Sequence, residues 1–230
     1  MASKDTILIF EAHSDDAVIG MAGMILNIKE IKDIVLITCT IGDTGYSNEE
    51  EKTTIVEKRR KESLESDLLL GIKEHIFLDN PCQNLQNDLK NYHQVIEIIR
   101  KYRPSQIFTH KSPSKHRDHR NCHDLVTEAW WKASENILPE LGDPIRVPIL
   151  YTFEVTDLFE FPHSIVDIGD ITPKLEVLRK FESQMGVLPG IENFVEGLAL
   201  VRGFQGGFTY GEAFQKSDFM ATPIRFAKKT

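Results

Sequence analysis

Cysteine is scarce in this chain. Its 230 residues include three, Cys39, Cys82 and Cys122, an odd number without framework spacing. That excludes a disulfide-stapled scaffold and predicts a reducing, cytoplasmic home. Long apolar runs are missing too: none approaches the ~20 residues that a helix needs to cross a bilayer. The opening MASKDTILIFEAH has too short an apolar part, with acid just after it, to read as a signal peptide. Positive charge is in deficit, 27 Lys and Arg against 35 Asp and Glu for a net −8. That balance argues against broad binding of nucleic acid or anionic membrane. No repeat, low-complexity tract or linker interrupts the sequence. What is present, 41% hydrophobic and 27% charged residues, is a globular composition. The length suits a single domain over residues 1–230.

Short β-branched runs alternate with helical patterns through the first half. Residues 6–12, 33–40, 74–78 and 105–109 read as strands, and 17–30, 49–70, 88–102 and 119–132 as the helices after them. Gly71 is placed to end the second helix, because glycine tolerates the left-handed conformation there. Pro104 stops the third. Four β–α repeats predict an α/β fold, a three-layer sandwich with a mostly parallel sheet. Right-handed crossovers favour the strand order 3-2-1-4, extended to 3-2-1-4-5 by a strand at 149–155. After Lys132 the pattern loosens into a proline-rich stretch, that fifth strand, a shorter one at 165–168 and helices at 172–184 and 191–202. An irregular tail rich in glycine and aromatics follows. Strands one and four become neighbours where the chain reverses direction, and ligands bind in such a crevice beyond the carboxyl ends of the strands.

Two polar clusters fall at that crevice. Glu11-Ala12-His13-Ser14-Asp15-Asp16 follows strand one, and Lys115-His116-Arg117-Asp118-His119 follows strand four. Three imidazoles and three carboxylates (Asp15, Asp16 and Asp118) therefore converge from distant segments, which packing alone does not require. Imidazole nitrogen and carboxylate oxygen suit Zn²⁺ and similar ions. A catalytic site of that kind takes three protein ligands and keeps one position open, and His13, Asp16 and His119 supply the set. His13 and Asp16, three residues apart, can face one point if a helical turn follows directly. Asp15 then points elsewhere and is free to act as general base toward a water whose pKa the ion lowers to ~7. His116 and His119 are also three apart, so one can bind metal while the other reaches substrate. Asp118 can hold His116 as an imidazolium facing an oxyanion. Each residue alone has a plainer reading: Asp15 or Asp16 as a helix cap, His13 as a core histidine, His116 and His119 as loop residues. Two clusters at one topological point outweigh those readings. Cys122 and His123 are weaker candidates for the metal, and Asp43, after strand two, is a candidate rim contact.

These segments resemble the motifs of the PIG-L/LmbE-like zinc-dependent N-deacetylases. His13-Ser14-Asp15-Asp16 followed by Ile19-Gly20-Met21-Ala22-Gly23 is similar to that family's A-H-P-D-D opening, and His116-Arg117-Asp118-His119 to its H-x-D-H motif. Thr38-Cys39-Thr40-Ile41-Gly42-Asp43 resembles the T-x-G-[DE] loop. Arg59-Arg60-Lys61-Glu62 resembles the arginine-bearing helix, and Tyr210-Gly211-Glu212-Ala213-Phe214 the Y-A-E-x-F tail. The resemblance implies a Rossmann-like fold and one Zn²⁺ per chain, or Fe²⁺, on His13, Asp16 and His119. It implies Asp15 as general base, His116 as electrostatic catalyst and Asp118 as its orienting partner. Arg59, with Arg60 as competitor, would anchor a substrate hydroxyl or phosphate, and Asp43 and Tyr210 complete the expected substrate contacts. The implied reaction removes an N-acetyl or similar acyl group from an N-acetylglucosamine-type sugar or conjugate. Ser14 stands where the family has proline, and Ser114 where an aspartate often precedes the second motif. Lys111, Lys115, Arg117 and Arg120 form a local basic patch able to receive a phosphate. The competing expectations are an amidase of a larger amino-sugar conjugate and a nucleotide-binding module. The latter lacks a G-x-G-x-x-G turn after strand one. Phe204, Phe208, Phe214 and Phe219 in the tail suggest a homo-oligomer.

Overall fold

Strand β1 (Asp5–Glu11) turns Ile7 and Ile9 to one core cluster and Leu8 and Phe10 to another, all of them buried. A strand apolar on both faces needs cover on both. β2 (Lys32–Thr40) pairs with it in parallel on one side and β4 (Gln106–His110) on the other. β3 (Glu74–Asn80) joins β2, and β5 (Leu150–Phe153) joins β4, again in parallel. The predicted order 3-2-1-4-5 is therefore present, and the sheet continues beyond it. β7 (Gly211–Lys216) pairs antiparallel with β5, and β6 (Ser164–Asp167) antiparallel with β7, giving 3-2-1-4-5-7-6 over seven strands. This computed structural model describes residues 4–221.

Helices α1 (Asp16–Ile28), α2 (Ile55–Leu70), α5 (Thr172–Leu178), α6 (Glu182–Met185) and α7 (Ile191–Gly206) cover one face of the sheet. On the other face α3 (Leu89–Tyr102) packs against α4 (Arg117–Lys132). α2 ends at Gly71 with φ 67°, as expected. The predicted helix 49–70 is broken, however. Asn48 accepts from the Glu51 amide and starts a separate 3-10 turn, Glu49–Thr53. The predicted helix 172–184 likewise divides at Phe181, whose φ of −90° and ψ of 57° are not helical.

Within the described residues the tail supplies a strand, β7, and that strand repairs a defect elsewhere. α1 is interrupted at Met21, with φ −151°. Glu212 of β7 accepts from the Gly23 and Met24 amides at 2.8 and 2.7 Å, satisfying donors that the break frees. Its carboxylate also pairs with Lys174 Nζ at 2.7 Å, and that ammonium donates to the Ile19 carbonyl at 2.8 Å. Phe214, expected among the exposed tail aromatics, is buried in β7, whereas Phe204, Phe208 and Phe219 are exposed. No described helix is long and apolar enough to cross a membrane.

Candidate active site

β1 ends at Glu11 and α1 begins at Asp16, so the intervening turn must be tight. The Asp16 amide donates to the His13 carbonyl at 3.1 Å, and the His13 amide to Asp16 Oδ2 at 2.7 Å. The turn leaves the His13 ring and the Asp16 carboxylate side by side, Nδ1 to Oδ2 3.1 Å. Asp15 stands at the N-cap position but makes no capping bond with its side chain. That work falls to Glu11, which sequence reading passes over. It accepts from the Ala17 amide at 2.9 Å and from the Thr38 hydroxyl at 2.5 Å. Burial, with the Asp16 charge beside it, pushes the Glu11 carboxyl well above its usual range.

α4 delivers the second cluster. His116 is its N-cap, so Asp118 and His119 lie in the first turn. His119 Nε2 comes 3.3 Å from His13 Nδ1 and 3.2 Å from Asp16 Oδ1. His13 Nδ1, His119 Nε2 and the Asp16 carboxylate, drawn from two segments far apart in sequence, thus form a triangle in which the nitrogens lie 3.3 Å apart and 3.1 and 3.2 Å from different oxygens of Asp16. A tetrahedral ion with ligand bonds of ~2.0–2.1 Å sets its ligands about 3.3 Å apart, so this donor set fits a small divalent cation. His110 also approaches Asp16, at 3.3 Å, but its Nε2 accepts the Ala12 amide at 2.8 Å. Its lone pair is thereby engaged. Burial and the neighbouring His119 lower its pKa to about 3, so it is neutral.

The pattern of second partners differs from the sequence expectation. Asp118 is expected to hold His116; its Oδ2 instead meets His13 Nε2 at 3.3 Å and accepts the Gln83 amide at 2.7 Å. That carboxylate is placed to hold a proton on His13 Nε2, which would leave Nδ1 for a cation. His116 Nδ1 accepts the backbone amide of Asp118 at 3.2 Å. Burial, then His13 and His119, lower the His116 pKa. With Nδ1 engaged by that amide, Nε2 is the ring nitrogen left to donate into the cleft. For His13 burial opposes the charge, but Asp16 and the bonds to Asp118 and Asp16 outweigh it and raise the pKa. Asp16 is held well below its usual range by His119, His13 and His110 although burial pushes the other way.

A family model matches the segment that carries this constellation. The profile described as PIG-L, GlcNAc-PI de-N-acetylase, matches residues 8–130. The chain belongs to the PIG-L family. Among curated PIG-L relatives it is similar to the diacetylchitobiose deacetylase of Thermococcus kodakarensis, 28% identical over 222 residues, 91% of this chain and 82% of that protein. The solved structure of the N,N'-diacetylchitobiose deacetylase of Pyrococcus horikoshii, in complex with an inhibitor, superposes with a TM-score of 0.82 at 27% identity. The match covers 94% of this chain and 84% of that one. The 4-carboxy-2-hydroxymuconate hydratase of Pseudomonas putida also gives 0.82, at 21% identity over 97% and 100% of the two chains. That last likeness shows the fold alone.

In this PIG-L chain the cluster opens into a cleft of about 230 Å³. Asp15, Arg59, Thr44, Gln83 and Gln184 line its polar side, and Ile19, Val155, Val187 and Leu188 an apolar wall. Arg59, buried, donates from Nη2 to Asp15 Oδ1 at 2.8 Å. Its guanidinium is packed so closely by the loop after β2 that a Cβ on Gly45 would sit 2.6 Å from Nη1. Arg60 lies away from the cleft, over the Phe77 ring at 4.2 Å. Other expected contacts are placed elsewhere. Asp43 accepts the Cys82 amide at 2.8 Å, tying two loops together, and does not line the cleft. Tyr210 packs on the core below α7, its hydroxyl 3.5 Å from Glu196. His123 Nδ1 meets the His110 carbonyl at 2.8 Å, and Cys122 faces Cys39 inside the core at 3.8 Å, so neither joins the cluster. Ser114 donates to Asp157 Oδ2 at 2.7 Å and accepts the His116 amide at 3.2 Å. Cys82, Gln83 and Gln184 reach the cleft from loops and a short helix that carry no motif.

Proposed function

We propose that this chain is a metal-dependent hydrolase that removes the N-acetyl, or a similar N-acyl, group from an N-acetylglucosamine-type sugar or conjugate. It would act as a single cytoplasmic domain over residues 1–230. The observation that carries this reading is the triangle of His13 Nδ1, Asp16 and His119 Nε2 beside a carboxylate, Asp15, that the triangle does not use. His13, Asp16 and His119 would hold one Zn²⁺, or Fe²⁺. When bound, such an ion supplies Lewis acidity toward water and toward an amide carbonyl. Named relatives that act on acetylated amino sugars support the substrate class.

The residues of the chain then divide the proton work. Asp15 Oδ1 is engaged by Arg59, which leaves Oδ2 to take a proton from the attacking water and return it to the leaving amine as the C–N bond breaks. The His116 Nε2–H donates to the acyl oxygen as it becomes an oxyanion. Asp118 keeps the His13 lone pair aimed at the ion through the Nε2 hydrogen bond. Arg59, anchored on Asp15, offers its remaining donors to a substrate hydroxyl. The apolar wall of Ile19, Val155 and Leu188 suits the acyl methyl and the sugar's apolar face.

Metal analysis of the purified chain, coupled to an acetate-release screen over N-acetylated sugars and their nucleotide conjugates, tests the proposal. One zinc or iron per chain is expected, with acetate released from at least one amino sugar, and His119→Ala should lose both. A wild-type chain that binds no divalent metal at this cluster, or releases no acetate from any of them, would refute it.

A further inference from the structure

Gln184 lines the cleft from α6, and no step of the reaction above uses it. Its buried side chain is held in place. Nε2 donates to the Gly45 carbonyl and to the Ser183 hydroxyl oxygen, both at 3.0 Å. A carbonyl only accepts, so the end of the amide turned to Gly45 is the nitrogen. The Ser183 amide and hydroxyl donate in turn to the two Glu62 oxygens at 2.8 and 2.6 Å. Glu62 lies one turn beyond Arg59 on α2, so one helix carries Arg59 and, through Ser183, sets Gln184. The other end of the Gln184 amide, Oε1, makes no hydrogen bond among the described residues. Nor is it one of the sealed atoms without a partner, which belong to Arg59, Asp67, Asn91, Gln94 and Asp118. Oε1 is therefore open, and the space beside it is the cleft. The same holds for Arg59 Nη1, since the sealed atom of that residue is Nε and its bond to Asp15 comes from Nη2.

These two open groups are neighbours. A Cβ on Gly45 would sit 2.6 Å from Arg59 Nη1 and 3.2 Å from Gln184 Nε2, so the missing side chain leaves a corner with a guanidinium on one side and an amide on the other. We infer that Gln184 is a specificity-determining residue, whose Oε1 works with Arg59 Nη1 to read a hydroxyl of the sugar ring. A hydroxyl accepts from the guanidinium and donates to the amide oxygen, and two adjacent hydroxyls can take one each. An ionised phosphate or carboxylate only accepts. It would fill the Arg59 side and set an anionic oxygen against Oε1, leaving that acceptor shielded and unpaired. Arg59 cannot make this distinction by itself, because its donors suit either anchor; the amide oxygen beside it decides for the neutral hydroxyl. Asp15 works in the same direction, its carboxylate already offsetting the guanidinium charge at 2.8 Å. This inference rests on the amino-sugar reading for the kind of ligand and not on the chemistry at the cation.

The zinc-loaded chain is titrated by calorimetry, in the cold, with methyl N-acetylglucosaminide and its 3-deoxy, 4-deoxy and 6-deoxy analogues, and acetate release is measured in parallel. One deoxy analogue is expected to bind at least tenfold more weakly than the parent sugar, the scale of a lost partner for a buried polar group. Gln184→Leu should weaken the parent by a similar factor and that analogue hardly further, because the hydroxyl and the amide oxygen act as a pair. The phosphate ester at the same position should bind no more tightly than the deoxy sugar. Gln184→Met, unbranched and close in length, is read in the same way if circular dichroism shows the leucine chain unfolded. Equal affinities for the parent and all three deoxy sugars, a folded Gln184 variant that weakens parent and analogues by one common factor, or a phosphate ester tighter than the parent would overturn the assignment. Acetate released without this coupling sinks the Gln184 role alone, whereas coupled sugar binding without acetate release sinks the proposed reaction alone.

Discussion

The contact between Arg59 and Asp15 sets what any substitution at residue 15 can report. Both side chains are buried and lie 2.8 Å apart. Alanine at 15 would strand a guanidinium without its counter-charge, at a cost of about 3–5 kcal/mol, and so mix stability with chemistry. Asparagine keeps an oxygen for Arg59, though not its counter-charge, and removes the capacity to accept a proton. Asp15→Asn should therefore retain its metal and, with the Arg59 hydrogen bond kept, lose less stability than alanine would, while acetate release falls roughly 100-fold or more. Full turnover at full metal content would remove Asp15 from the reaction. At this scale the sequence is informative where two polar clusters sit at fixed offsets from two strand ends. His13, Asp15, Asp16, His116 and His119 are all found beside one cleft. It is silent where a side chain acts through a partner chosen by tertiary packing. Asp118 turning to His13, Glu11 capping α1 from five residues before it, and Cys82 reaching the cleft from a loop leave no spacing to read.

The β4–α4 connection shows the same limit for elements. Its second motif lacks the upstream aspartate, and Ser114 in its place recruits a carboxylate from 43 residues further on. Asp157 Oδ2 accepts both the Ser114 hydroxyl and the Lys115 amide at 2.7 Å, which fixes the loop leading to the His116 cap. Removing two hydrogen bonds worth about 0.5–1.5 kcal/mol each gives a loss on the order of tenfold in turnover for Asp157→Ala. Metal content should not change, and an unaltered rate would show that the loop is held by other contacts. Partial burial works against the Asp157 charge, but the Ser114 and Lys115 donors prevail and its pKa is lowered. A carboxylate with a lowered folded pKa stabilises fully above its ordinary value of 3.8 and loses that effect as pH falls through the lower one. The deficit of the variant should thus be constant from about pH 5 to 8 and shrink only in strong acid. The parallel strands β1 to β5 were legible because local β–α periodicity and crossover handedness determine them. β7 was not, since a six-residue strand with one glycine and three polar side chains is stabilised by the strands on either side of it.

At the scale of the whole molecule, two ties join segments far apart in sequence, and they differ in what should loosen them. Glu212 holds the break in α1 and the buried Lys174, across 189 and 38 residues of sequence. Glu212→Ala leaves that ammonium unpaired at about 3–5 kcal/mol. At about 2–4 °C per kcal/mol for a chain of this size, its melting temperature should fall by roughly 6–20 °C. The second tie is the triangle that joins β1 to α4 across 106 residues. An ion bound only by the folded chain adds RT ln(1 + [L]/Kd), ~2.7 kcal/mol at a hundredfold excess over Kd. Zinc should then raise the melting temperature of the wild-type chain by about 5–11 °C, and a chelator should reverse the gain. Asp15→Asn and Glu212→Ala should respond to zinc by the same increment from their own baselines, because neither removes a ligand. His119→Ala should not respond. Thermal melts of the four chains with zinc and with chelator decide the matter, since a zinc increment surviving in His119→Ala would place the stabilising ion away from that triangle.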